Sequence, residues 1–179
     1  MPLQAYAGQA ITTDMLNNLR MQMVVQTENQ EVVDSEELVP SEIVIPVQSG
    51  ATYWFHSIIT YSAGHAEGNG GSGGFRWNWD TPVGTAMPRQ NLAYSLTDSG
   101  NTGLIQGGTM ISRSPSSSTQ MRAQGTGVDN FLAVHESGTI QVGGQGGDCT
   151  LQFAQWGESS TPTILRGILR TRALWVRVL

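Results

Sequence analysis

The glycines of this chain are clustered rather than scattered, and the clusters decide what it can fold into. They number 22 in 179 residues and sit with Ser, Thr, Asn and Gln between short runs of β-prone residues. Turn-forming residues at such close intervals leave little room for long helices and give the chain an all-β texture. The clearest runs are Ser41–Val47 and Thr52–Tyr61, separated by Gln48-Ser49-Gly50-Ala51. The second is long and rich in aromatic and β-branched residues, which predicts a central strand. In Gly74–Asp80 the aromatic residues Phe75, Trp77 and Trp79 alternate with polar ones, so all three share one face of a strand. Cys149–Trp156 alternates in the same way, with Cys149, Leu151 and Phe153 on one side and Thr150, Gln152 and Ala154 on the other.

Further strands are predicted near Thr102–Ile111, Thr119–Ala123, Asn130–Glu136, Gly138–Val142 and Leu169–Val178. Thr81–Pro88 reads as a loop or edge, because neither Pro82 nor Pro88 has an N–H to give to a ladder. About eight strands joined by turns fit a two-sheet β-sandwich, jelly-roll-like in its connections. The first segment differs. Thr13 is placed to cap a helix, Asp14 lies near the positive end of its dipole, and Met15, Leu16, Leu19 and Met23 recur at helical spacing. A helix from Thr13 to about Gln26 is expected, and one so short needs a partner for its apolar stripe. Residues 1–40 are therefore read as an attachment arm, with Ile11, Met15, Leu16, Leu19 and Met23 as its contact residues, and residues 41–179 as the displayed domain.

Charge and cysteine usage narrow the function. The net charge is −5, with seven acidic groups against Arg20 alone in residues 1–50, and Arg166, Arg170, Arg172 and Arg177 without an acid in residues 161–179. Nucleic-acid binding draws its affinity from a basic face, and this balance argues against it. The basic end is instead suited to the acidic stretch of the same or a neighbouring subunit, as an orienting contact. Cys149 is the sole cysteine, which excludes an intrachain disulfide framework. No apolar run approaches the roughly 20 residues of a membrane span, and the start Met1-Pro2-Leu3-Gln4 has neither the basic nor the apolar region of a secretion signal. Assembly in a cytoplasm is the expectation.

Motifs for catalysis match only in letters. Gly68–Gly73 fits GxGxxG and Gly70–Gly74 fits GxSxG, but each needs a helix after the loop and a strand follows here. In so glycine-rich a tract such matches arise by composition. The histidines His56, His65 and His135 lack metal-ligand spacing, and His65 with Glu67 has no third ligand, so neither a metal nor a cofactor is expected. His135-Glu136 is a bare adjacent pair. Wall hydrolysis by paired carboxylates would need two acids across a cleft, and the acids after residue 43 fall mostly in predicted turns, where Asp is favoured anyway. Trp77, Trp79 and Trp156 are candidate ligand-facing aromatics able to stack on sugar rings, although their strand period favours the core.

Stretches at both ends of the sequence resemble a known family. Ala7-Gly8-Gln9-Ala10-Ile11-Thr12-Thr13-Asp14-Met15-Leu16-Asn17 is similar to the opening of small virion proteins of tailed phages infecting actinobacteria, of the head-decoration, minor-tail or fibre type. Asp148–Trp156, Thr163–Leu169 and Leu174–Leu179 resemble their ending, with a different order within Gln152–Trp156 and Gly167-Ile168-Leu169 in place of the family's Gly-Ser-Trp. The resemblance implies a non-enzymatic, oligomeric and most simply trimeric β-sandwich on the virion surface, held by its N-terminal arm to major capsid or tail proteins. Two other functions stand beside it: a tail module binding a host-surface receptor or glycan, and a cell-wall hydrolase.

Overall fold

The computed structural model describes residues 12–13, 20–64, 73–97, 105–113 and 120–178. These residues form twelve strands in two antiparallel sheets, with a shared apolar core between them. The strands are β1 (Gln22–Val25), β2 (Gln30–Val32), β3 (Val39–Val47), β4 (Thr52–Ala63), β5 (Gly73–Asp80) and β6 (Arg89–Thr97), then β7 (Ile105–Arg113), β8 (Met121–Ala123), β9 (Gly127–Gln141), β10 (Gly147–Gly157), β11 (Thr163–Leu165) and β12 (Arg172–Arg177).

Their pairing is nested. β6 pairs with β7, β5 with β8, β4 with β9, β3 with β10, β2 with β11 and β1 with β12. The chain thus runs out to the β6–β7 connection and returns alongside itself as one long antiparallel ribbon. Folding the ribbon over brings β10 onto β5, β9 onto β6 and β12 onto β4. The small sheet then reads β3-β10-β5-β8, and the main path of the large sheet reads β1-β12-β4-β9-β6-β7, with β11 joining β2 to β4.

Alternation sets the core. Tyr53, Phe55, Ile59 and Tyr61 of β4 face Phe75, Trp77 and Trp79 of β5 and Cys149, Leu151 and Phe153 of β10, and all are buried. Phe55 meets Trp79 edge-on at 5.7 Å, and Tyr61 stacks on Phe75 at 4.3 Å. Such aromatic pairs add about 0.5–1.5 kcal/mol each beyond their burial. The expected central strand is central: β4 pairs with β9 on one side and with β12 and β11 on the other.

Several expectations are corrected. The strands expected at Asn130–Glu136 and Gly138–Val142 are one strand, β9. Gly138 is no turn; it lets another backbone approach, since a Cβ there would lie 2.2 Å from the Pro88 carbonyl oxygen. The helix expected to reach Gln26 gives way to β1, because the β-branched Val24 and Val25 complete a ladder with Ala173 and Arg172. Met23, assigned to a helical stripe, lies on this strand and is 60% exposed. The remaining arm residues Ile11, Met15, Leu16 and Leu19 lie outside the described residues. From β1 onward, the segment assigned to the arm contributes β1, β2 and the start of β3 to the sheets. β6, a segment absent from the expected strands, is held by ladders to β7 and β9.

Candidate functional site: the outward face of the large sheet

The residues flagged for chemistry do not converge. Trp77 and Trp79 are buried in the core and face no ligand, so of the three candidate aromatics Trp156 alone is partly exposed, on the outer side of the small sheet with Arg122 5.4 Å from its ring. His135 and Glu136 point to opposite sides of β9: His135 is exposed and Glu136 is buried, so the pair is not an acid–base couple. His65, Glu67 and most of the glycine motifs lie outside the described residues, which resume at Gly73 with β5. Among the described residues no three His, Cys, Asp or Glu side chains group to hold a metal ion. Surface hollows of about 290 Å³ beside Gln26–Gln30 and Pro40–Glu42, and of about 260 Å³ beside Tyr53 and Arg177, gather no nucleophile with a base.

Glu136 instead ties the sheets together. Its Oε2 accepts from the Trp79 indole N–H at 2.7 Å and its Oε1 from that of Trp77 at 3.4 Å, while Arg89 Nε stands 3.6 Å from Oε1. Arg89 also donates to Asn78 Oδ1 at 2.9 Å. One carboxylate on β9 is thus held by donors on β5 and β6. Its cross-strand neighbours Ser57 and Asn91 make this a polar rung through the core, with Ser57 Oγ and Asn91 Oδ1 buried and unbonded. Sequence reasoning missed this cluster. Two signals were there: a Trp-x-Trp strand sends two indole N–H groups inward, and each needs an acceptor; Glu136 shares the inward phase of Val134.

The outward face of the same sheet has a different character. Its register lays side chains in rungs across five strands. Val25, Arg172, Ile58, His135 and Leu92 form one rung. Met23, Leu174, His56, Ser137 and Gln90 form the next. Val176, Trp54 and Thr139 follow towards one end. Trp54 is 38% exposed, Leu92 42% and Phe131, at the other end, 50%. These rungs contain no carboxylate, and Arg172 is their one permanently charged residue, its Nη1 donating to the Leu169 carbonyl at 3.3 Å.

Aromatic groups line the centre of this face. Trp54 stacks parallel to His56 at 6.4 Å, and His56 lies 5.9 Å from His135. Burial holds the His56 pKa below its ordinary value, helped by the neighbouring His135 and Arg172. Beside Phe131, the guanidinium groups of Arg166 and Arg170 approach its ring at 4.6 and 4.4 Å. Arg166 is anchored by Ser62 Oγ and the Val128 carbonyl, which orients it over the ring. A face this apolar, rimmed by arginine, suits contact with another macromolecule better than turnover of a small substrate. Comparison with known protein families, curated proteins and solved structures finds no match, so the geometry and the sequence resemblance carry the functional reading.

Proposed function

We propose that this protein is a non-enzymatic structural module of a tailed-phage virion surface, a homo-oligomeric capsid decoration or head-fibre protein attached through its N-terminal segment. The observation that carries the reading is the nested strand order. Within it, β3 to β10 give sheets β3-β10-β5-β8 and β4-β9-β6-β7, the arrangement a jelly roll makes when an eight-stranded ribbon is rolled. Jelly rolls recur in viral capsid and lectin domains, an analogy of fold that makes a virion role the natural class without fixing it. The apolar outward face supports an oligomer, and the sequence resemblance supplies the virion and the trimer. Major capsid or tail proteins are the proposed partners, with assembly in the host cytoplasm.

A second reading, a tail module binding a host receptor or glycan, is favoured by Trp156, whose partly exposed ring beside Arg122 has the form of a stacking platform. One experiment separates them. Full-length chain and a variant lacking residues 1–19 are co-sedimented with undecorated phage heads and, separately, with host cells. The deletion stops there because β1 begins at Gln22 and belongs to the sheet. Saturable head binding that is lost with residues 1–19 is the expected result. Binding to cells but not heads, abolished by Trp156→Ala, would replace decoration with adhesion.

A further inference from the structure

We propose that the outward face of the large sheet is a homotypic interface covered by a second copy of this chain, and that the His56–His135 pair makes the contact pH-responsive. The inference rests on the oligomeric reading above and names its surface and its control.

Area and charge identify the occupant. From Thr139 to Phe131 along β9 and from β1 to β6 across the strands, the face spans roughly 27 by 19 Å, or about 500 Å² in projection. The relief of Trp54, Leu92, Met23 and Phe131 adds to this, bringing the face to the scale of about 600–1,000 Å² per partner found in stable interfaces. Its rungs hold aliphatic and aromatic groups with Gln90, Ser137 and Thr139 among them. Such a face can meet its own copy without burying a carboxylate, and Arg172, its one permanent charge, keeps the Leu169 carbonyl as its acceptor. The exposed Asp129, two residues beyond Phe131 on β9, and Glu31 at the β2–β11 edge lie outside the five-strand rungs.

The groups around His56 set the direction of the pH response. His135 on β9 and Arg172 on β12 are its titratable or charged neighbours, while Trp54, Leu174 and Ser137 are neutral, and no carboxylate faces it to favour an imidazolium. A second copy removes more water from both rings. His56 of the separated chain therefore takes up a proton more readily than that of the associated one, and by linkage association weakens as pH falls below the ordinary histidine value of about 6.5. Above that value the His56 ring is neutral and the contact is at full strength.

Sedimentation velocity of the full chain tests this at about pH 7.5 and about pH 5, with circular dichroism at both to establish that the fold persists. The expected result is an oligomer at the higher pH whose dissociation constant rises at least about tenfold at the lower, a change of about 1.4 kcal/mol. His56→Gln/His135→Gln should remain associated at both. Trp54→Arg and Leu92→Arg, both at exposed positions, should each dissociate it at the higher pH. A monomer at the higher pH overturns this inference and the oligomeric reading together. An oligomer indifferent to both arginine substitutions overturns the surface alone, and a double histidine variant that still dissociates on acidification overturns the control. Head binding, measured separately, decides the virion reading on its own.

Discussion

The outer faces of the two sheets are built from the same kind of strand yet are finished differently. On the small sheet, Asp148, Asp80, Arg76 and Arg122 stand among Thr150 and Gln152, and Arg76 pairs with Glu36 at 3.5 Å. That face carries charged and hydrogen-bonding side chains, as expected of a sheet whose other side packs the core. On the large sheet, Trp54, Ile58, Leu174, Leu92 and Met23 occupy the equivalent outward positions. The difference teaches that alternation alone does not make an outward face polar: where large apolar residues such as Trp54 and Ile58 stand among the outward positions of a central strand, as in β4, the outer phase is prepared for something other than water alone.

The largest effect is expected between the faces, where the sheets join. Glu136→Ala removes the acceptor for two indole N–H groups and leaves Arg89 buried without its carboxylate. The loss should be about 3–5 kcal/mol of folding stability, measured as a shift of the urea midpoint. Cys149 gives an independent reading. Burial, with Asp148 and Asp80 nearby, pushes its thiol up to about 12, so it should resist alkylation in the native protein and react faster in the variant as the sheets part. An unchanged midpoint and alkylation rate would mean that the polar rung is incidental to how the sheets are held.

The contrast between the faces themselves is broken or sharpened by placing the same charge on each. Trp54→Arg on the large sheet should raise the dissociation constant of the oligomer about tenfold to a hundredfold, or about 1.4–2.8 kcal/mol. Gln152→Arg on the small sheet should leave association and fold stability within about 0.5 kcal/mol of the parent. Equal responses from the two variants, read by sedimentation, would remove the distinction on which the proposed interface depends.

How much of this was legible in the sequence follows from which forces act locally. The inward phase of β5 and β10 could be read directly, because aromatic and aliphatic residues at every second position need no partner to declare a face. β4 was legible as central for the same reason. The nested pairing of β1 with β12 and of β2 with β11 was not, since strands of four and three residues carry little periodic signal and are defined by ladders to distant segments. Helical spacing at Met15, Leu16, Leu19 and Met23 led the reading past Arg20, where edge pairing prevails. Of the proposed surface, His56 and Met23 were noticed singly, but the rungs joining them to Leu92 and Leu174 exist only once the register is known. Glu136 was seen as a neighbour of His135, and strand geometry sends the two to opposite sides.

A smaller change than that of Trp54→Arg, and of opposite sign for the fold, is expected at the turn after β11, next to the rim of the apolar face. Ile168 and Leu169 adopt positive φ of 52° and 64°, a region costly for side chains with a Cβ, and they are 73% and 62% exposed. Their backbone is held in place: Ile168 N–H donates to the Thr27 carbonyl and Leu169 N–H to that of Gln26, while Gly167 N–H donates to Asn29 Oδ1. The surrounding hydrogen bonds thus impose the conformation, and the side chains gain little burial in return. Leu169→Gly should relieve about 1–2 kcal/mol of backbone strain and give back part of it through the freer unfolded chain, for a net stabilisation of about 0.5–1 kcal/mol in urea unfolding. The same substitution also tests the rim. If Leu169 belongs to the contact between copies, the variant will be more stable as a monomer yet associate less tightly; if it lies beyond the contact, stability will rise with association unchanged. Destabilisation of the monomer would show that the Leu169 side chain contributes more to the fold than its exposure and backbone conformation imply.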